Sequence, residues 1–216
     1  MLQQILPFYE EMMPELVVGN ANMLAYRYLF EERTWQHPLC WLQGEEGSGK
    51  TLLAHYWQRT RHGNMLRLTQ DAALSLMPEG EYVLDPVPEA EELQEPLFHL
   101  LTQAHAVQAK LVICSRHFPA HHPTILKDVS SRLKAAHVVS LGMPEDDMVK
   151  AVLMAHAAMR QLRIEAGVID YIIPRMQRSC GAAALLMKAL DVHNLHHKRP
   201  ITLPVVREVM GNTILL

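Results

Sequence analysis

Cysteine is scarce in this chain. There are three in 216 residues, Cys40, Cys114 and Cys180, an odd number with no C-x-x-C pair. That excludes a disulfide framework and a thiolate zinc module, and leaves buried free thiols in a reducing compartment. A basic excess is also missing. The formal net charge is −3, whereas proteins that hold duplex DNA by neutralising its phosphates carry surplus Lys and Arg. Strong direct binding to duplex DNA is therefore not expected. No run reaches the ~18 uninterrupted apolar residues of a membrane span. The opening stretch MLQQILPFYEEMMPELVV lacks a basic start and is interrupted by Pro7, Glu10, Glu11, Pro14 and Glu15. It reads as neither signal peptide nor anchor, and a soluble cytoplasmic protein is expected.

Apolar residues are plentiful, at 49%, so the chain can bury a substantial core and disorder is not the default. Their pattern alternates between two periods. Leu39–Gln43, Asn64–Leu68, Glu81–Asp85, Lys110–Ser115 and Ala136–Ser140 read as short strands. Between them lie helical stretches at Asn22–Glu32, Leu52–Arg59, Asp71–Leu76, Glu89–Ala106 and Ile125–Lys134. In the first of these, Leu24, Tyr28 and Leu29 are expected to share a buried face. Pro96 is expected to split or kink the fourth. Strands alternating with helices imply a parallel sheet covered on both faces.

After Gly142 the strands stop. Pro144 and the acids Glu145, Asp146 and Asp147 mark a helix start, with Pro in its first turn. Met148, Val152, Ala155, Met159 and Leu162 are expected to form its buried face. Gly167–Arg178, Ala182–Leu195 and Leu203–Met210 read as three further helices, with Pro174 an awkward residue in the first. The expected organisation is an N-terminal peptide (1–15), an α/β base (16–143) and a helical lid (144–216).

The strongest motif joins the first strand to its helix. Gly44-Glu45-Glu46-Gly47-Ser48-Gly49-Lys50-Thr51 fits the phosphate-binding loop G-x-x-x-x-G-K-S/T. Glycines let successive N–H groups turn inward on phosphate oxygens. Lys50 is expected to reach the β- and γ-phosphates and the Thr51 hydroxyl to ligand Mg²⁺. The helix that follows offers its positive end to the anion. Glu45 and Glu46 are odd neighbours for a polyanion and must point outward. Asp85, at the end of the third strand, suits a second Mg²⁺-supporting position. The residue after it is Pro86, where hydrolytic relatives commonly carry a second acid. ATP or ADP binding with little or no intrinsic hydrolysis is the expectation.

These and other segments resemble a known family. Leu16-Val17-Val18-Gly19-Asn20-Ala21-Asn22 with Ala25-Tyr26 resembles the opening of the AAA+ domain of the DnaA initiator. Asp128-Val129-Ser130-Ser131-Arg132-Leu133 resembles the segment that carries the family's arginine finger. Gly167-Val168-Ile169-Asp170-Tyr171 and Arg199-Pro200-Ile201-Thr202 resemble the lid of the Hda branch, the regulatory DnaA homologues. The likeness runs from about residue 3 to 211 and fits best the branch's short alphaproteobacterial form. No DNA-binding helix-turn-helix module follows the lid, so the expectation is a regulator rather than an initiator.

The resemblance implies a five-stranded parallel AAA+ sheet of order 5-1-4-3-2, flanked by helices and followed by a small all-α lid. It also implies a nucleotide, ADP in this branch, with Val17, Val18 and Gly19 near the adenine. Arg132 becomes a trans arginine finger for ATP held on DnaA, so DnaA is the implied partner, with a homodimer as a further candidate. Gln3-Gln4-Ile5-Leu6-Pro7-Phe8 resembles the peptide with which this branch docks on the replicase sliding clamp. Gln3 supplies an amide anchor there, and Leu6, Pro7 and Phe8 supply apolar plugs for a preformed pocket.

Departures from the family pattern point the same way as Pro86. Arg116 stands beside Ser115 where an acid is usual. Gly181 takes the place of the lid's sensor arginine, with Arg178 three residues earlier as a weak substitute.

Thirteen histidines raise the question of a metal site. His193, His196 and His197 share a helical face, and His117, His121 and His122 share a Pro-rich loop, but no full ligand set accompanies either group. The methionines read as core filler. The alternatives to a DnaA regulator are a stand-alone small P-loop ATPase or kinase and a helicase-loader-like AAA+ protein. A kinase needs lid arginines that are missing around Gly181, and a loader needs a basic single-strand track.

Overall fold

The computed structural model describes residues 16–32, 35–70, 75–123, 126–194 and 200–212. The chain divides into two compact units, Asn20–Gly142 and Met143–Leu216, and residues 16–19 group with the second.

The first unit is built on a parallel sheet of β1 (Leu39–Gln43), β2 (Asn64–Leu66), β3 (Glu81–Leu84), β4 (Lys110–Ser115) and β5 (His137–Ser140). The strand order is β2-β3-β4-β1-β5, the expected order read from the other edge. β1 and β4 are in register from Leu39 opposite Leu111 to Gln43 opposite Ser115. Strands buried on both faces read as continuous apolar runs, which is why these two match their expected bounds. Leu39 and Trp41 on β1, with Leu111 and Ile113 on β4, enter a core cluster completed by Leu97, Leu100, Leu101, Val129 and Leu133. The last five lie on α3 (Gln94–Ala106) and α4 (Lys127–Ala135). Cys40, Leu42, Val112 and Cys114, the alternate residues, are buried as well. The helix α2 (Lys50–Arg61), which follows β1, packs on β3 and β4.

Several helices differ from expectation in phase or extent. The first, α1, is a single turn (Met23–Tyr26) that continues as a π-helical turn over Arg27–Glu31. Its buried residues are Ala25, Tyr28 and Leu29, while Leu24 is 71% exposed. Wider π winding shifts the phase of an i, i+4 pattern, so Leu24 falls off the inward face. Pro96 does not interrupt α3. It is the third residue of α3, where no intrahelical N–H bond is owed, and a 3₁₀ turn (Glu91–Leu93) leads into it. β2 ends at Leu66 rather than Leu68, although Leu68 is still buried. Most of the expected helix at Asp71–Leu76 lies outside the described residues.

The second unit is helical: α5 (Asp146–Met159), α6 (Val168–Ile172) with a 3₁₀ turn (Ile173–Arg175), α7 (Cys180–Asn194) and α8 (Leu203–Asn212). α7 packs on both α5 and α8. Pro144 precedes the N-cap residue Glu145, one position outside the expected first turn. Pro174 sits in the 3₁₀ turn, where its missing N–H costs nothing. The buried face of α5 is Met148, Val149, Val152, Leu153, His156 and Ala157. Ala155 and Met159 are half-buried, and Leu162 lies past the helix end. The methionines are only partly core filler: Met148, Met176 and Met187 are buried, but Met77, Met143 and Met154 are exposed. All three cysteines are buried free thiols.

His156 is the one fully turned-in imidazole of α5, 3% exposed. Arg160 donates from Nη1 to its Nδ1 at 2.8 Å. A guanidinium can only donate, so that nitrogen must be unprotonated. Burial, then the Arg160 charge, pulls its pKa down to about 4. The unfolded chain therefore binds a proton here at a higher pH than the folded one. Stability from this site is complete above about pH 6.5 and is lost as pH falls toward 4, by roughly 3 kcal/mol at most. His156→Gln should flatten the fall of Tm between pH 6.5 and 4 relative to wild type. Parallel Tm profiles for the two proteins would contradict this.

Candidate nucleotide site and the surface of Arg132

The loop between β1 and α2 has the backbone that its glycines allow. Gly47 and Gly49 have φ of 84° and 94°, in the left-handed region that side chains avoid. Gly44 is needed for space: a Cβ there would lie 2.6 Å from Ser48 Oγ and 3.0 Å from the Leu141 carbonyl oxygen. Ser48 donates its N–H to the Glu45 carbonyl at 3.2 Å, which closes the turn. Ser48 is 1% exposed, while the Glu45 and Glu46 side chains face solvent as the motif requires. α2 begins at Lys50 with Gly49 as its N-cap, and no side chain caps it. Its first-turn N–H groups thus keep the character of an anion site.

Lys50 folds back over this loop. Its ammonium donates to the Gly44 carbonyl at 2.5 Å and to the Glu45 carbonyl at 2.7 Å. Burial lowers its pKa and the nearby Arg116 charge adds to this, while Asp85 and Glu45 pull it back up. Asp85 directly follows β3, half-buried, and its carboxylate lies close enough to the Cys114 thiol to act on it. Burial, then the Asp85 charge, raises that thiol well above its usual range. Val87 donates its N–H to the Cys114 carbonyl at 3.0 Å, which ties the chain after Asp85 to β4.

At the end of β4, Ser115 is buried and its Oγ accepts the His117 N–H at 3.0 Å. Gly44 donates its N–H to the Ser115 carbonyl at 3.2 Å. The loop, Lys50, Asp85 and Ser115–Arg116 are therefore one neighbourhood. It fits a nucleoside polyphosphate: loop amides and Lys50 would hold the phosphates, and Thr51, exposed at the start of α2, with Asp85 would hold Mg²⁺. Glu89, Glu91 and Glu92 are exposed, and Glu89 lies 3.6 Å from the His117 ring.

Other expected site residues fall elsewhere. Val17 and Gly19 are half-buried and Val18 is 40% exposed. A Cβ on Gly19 would touch Met148 of α5. Gln3, Leu6, Pro7 and Phe8 lie outside the described residues. Gly181 sits exposed in the first turn of α7. Arg178 is engaged by Asp146 at 3.0 Å. Among the described residues no group of three His, Cys, Asp or Glu could hold a metal, and His196 and His197 are not among them.

Arg132 is on α4, half-buried. It does not form the carboxylate pair with Asp128 that its spacing allows. Nη1 donates instead to the Asp128 carbonyl at 3.5 Å, and the guanidinium carbon stands 4.5 Å from the centre of the Phe98 ring. Sequence reasoning missed Phe98 and the Cys114–Asp85 contact. It named His122 only as a loop histidine and not as a buried one: the residue is 5% exposed, edge-on to Trp41, with both ring nitrogens unpartnered among the described residues.

Residues 146–210 match the family model of the Hda lid domain. This helical segment is similar to the lid of the Hda family. The fold of the chain is similar to domain III of DnaA from Thermotoga maritima, with a TM-score of 0.75 at 16% identity over 92% of this chain and 95% of that one. AMPPCP-bound DnaA from Aquifex aeolicus matches with a TM-score of 0.63 at 17% identity, over 85% of this chain and 66% of that one. An uncharacterized protein of Haemophilus influenzae is 25% identical over 209 residues, 89% of this chain and 90% of its own. The matched segment holds nearly all of α5 through α8, with the Arg178–Asp146 and Lys150–Asp170 pairs inside it. No described helix is long and apolar enough to cross a membrane.

Proposed function

We propose that this DnaA-related protein is a cytoplasmic regulator of replication initiation. It holds a nucleotide, ADP by preference, on its own phosphate loop and presents Arg132 to ATP bound on DnaA, promoting hydrolysis there and preventing re-initiation. The observation that carries this reading is the Hda-type lid over residues 146–210 on a DnaA-like base. Two features of the site support it. Pro86 follows Asp85 where a second acid would orient an attacking water, so the protein's own site is suited to holding a nucleotide rather than turning it over. Arg132 is reachable from solvent and commits little of its donor capacity among the described residues.

Recruitment falls to the N-terminal peptide, with Gln3, Leu6, Pro7 and Phe8 docking on the polymerase III sliding clamp. The test is hydrolysis of ATP on DnaA, followed with this protein and DNA-loaded clamp present. A local tether raises effective concentration without touching chemistry. Deleting residues 1–8 should therefore raise the half-saturating concentration on the order of 10²-fold, with the rate at saturation kept. Equal potency of the full and shortened chains would remove the clamp from this scheme. Absence of any stimulation by the full chain would remove DnaA.

A further inference from the structure

The contact between Arg132 and Phe98 has a chemical logic that neither helix shows alone. Phe98 lies on α3 and packs against the core cluster of the sheet, between the fully buried Leu97 and Leu100. Its ring is thus anchored from below. The Arg132 guanidinium stands over that ring at 4.5 Å. A guanidinium is planar, with all five N–H donors at its edges and none on its faces. A ring on one face holds the plane by cation–π attraction while consuming no donor. Among the described residues the hydrogen bond of this group is that from Nη1 to the Asp128 carbonyl. At 3.5 Å it is at the outer limit of such bonds.

We propose that Phe98 is a positioning residue for Arg132: its ring fixes the plane of the guanidinium and leaves the N–H edge open to the phosphate of a nucleotide held by another subunit. This deepens the arginine-finger reading and rests on it. An aspartate or glutamate in place of the ring would fix the group by using up the donors that a phosphate needs. A flexible, unstacked arginine would have to lose side-chain freedom each time it engaged. Phe98 removes part of that cost beforehand, so its effect belongs in the rate at saturation and not in the affinity between the two proteins.

The experiment compares Phe98→Leu, Phe98→Tyr and Arg132→Ala in the full chain, with DnaA, ATP and DNA-loaded clamp. Leu keeps an apolar body but has no ring face, whereas Tyr keeps the face. Phe98→Leu is expected to lower the saturating rate of ATP hydrolysis about two- to five-fold, the size of an exposed cation–π contact. Its half-saturating concentration and its Tm should stay close to wild type, and Phe98→Tyr should retain the wild-type rate. An undiminished rate in Phe98→Leu, with stimulation abolished in Arg132→Ala, overturns the role of Phe98 and leaves the finger standing. Stimulation retained in Arg132→Ala overturns the finger itself. Equal losses in the Leu and Tyr variants, or losses that track a fall in Tm, would show Phe98 to be structural only and overturn the proposal.

Discussion

Arg132→Ala should return hydrolysis of ATP on DnaA to its unstimulated rate while leaving the protein folded and able to engage the clamp. A guanidinium set on a transferring phosphoryl group stabilises charge that grows in the transition state, with effects of about 10³–10⁵ in rate. Nothing of that size is at stake in the fold. The side chain is half-exposed, its hydrogen bond to the Asp128 carbonyl is long, and its stacking on Phe98 contributes about 0.5–1 kcal/mol. Phe98 stays seated on the core cluster without it. Arg132→Lys should be nearly as poor as alanine. An ammonium is a point charge that neither stacks flat nor presents a fork of donors to a phosphate. The measurement is phosphate release from DnaA–ATP at saturating regulator, with Tm as the control for folding. Full stimulation by either variant would mean that the group acting on the phosphate lies elsewhere.

What could be read in advance follows from how local the physics is. The phosphate loop is a continuous eight-residue string whose chemistry requires glycine at fixed places, and the backbone found at Gly47 and Gly49 is the one that the string implies. β1 and β4 were legible because a strand buried on both faces is apolar throughout. Phase was harder. Leu24 and Tyr28 are four apart and look like neighbours on a helix, but the π turn over Arg27–Glu31 moves the inward face to Ala25, Tyr28 and Leu29. In α5 the inward stripe includes Val149, Leu153 and a histidine, and counting hydrophobic residues does not nominate a histidine.

Contacts between elements were the least legible. The cation–π contact of Arg132 with Phe98 joins α3 to α4, which β4 separates in sequence. The Cys114–Asp85 contact joins the ends of two neighbouring strands. Nothing in the spacing of either pair signals it. The i, i+4 spacing of Asp128 and Arg132 allows an ion pair, but the guanidinium meets the Phe98 face and the Asp128 carbonyl instead. The carbonyl contacts of Lys50 were likewise not visible in the motif, which describes the lysine only in terms of a phosphate.

Those carbonyl contacts set the expectation for Lys50→Ala. In the chain alone the ammonium donates to two neutral carbonyls of its own loop. A bound diphosphate would replace these with charged oxygens, and charge-assisted bonds are roughly twice as strong as neutral ones. Losing two such bonds, each about 1.5 kcal/mol net, corresponds to a rise in the Kd for ADP on the order of 10²-fold. The ligand-free fold should be little affected, since Gly47, Gly49 and the Ser48–Glu45 turn shape the loop without the lysine. Proton linkage gives a second signature. Burial holds the Lys50 pKa below its usual value of 10.5, so the free protein loses this charge at a lower pH than an exposed lysine would. Bound phosphate favours the charged form, so the nucleotide complex keeps the proton to higher pH. ADP affinity should therefore fall as pH rises toward 10, with proton uptake on binding in that range, and Lys50→Ala should abolish this lysine's share of both effects. Titration of ADP by calorimetry in two buffers of different ionisation enthalpy measures affinity and proton uptake together. An ADP Kd unchanged by the substitution would mean that the nucleotide is held without this lysine, and the phosphate-loop reading of Gly44–Thr51 would fall with it.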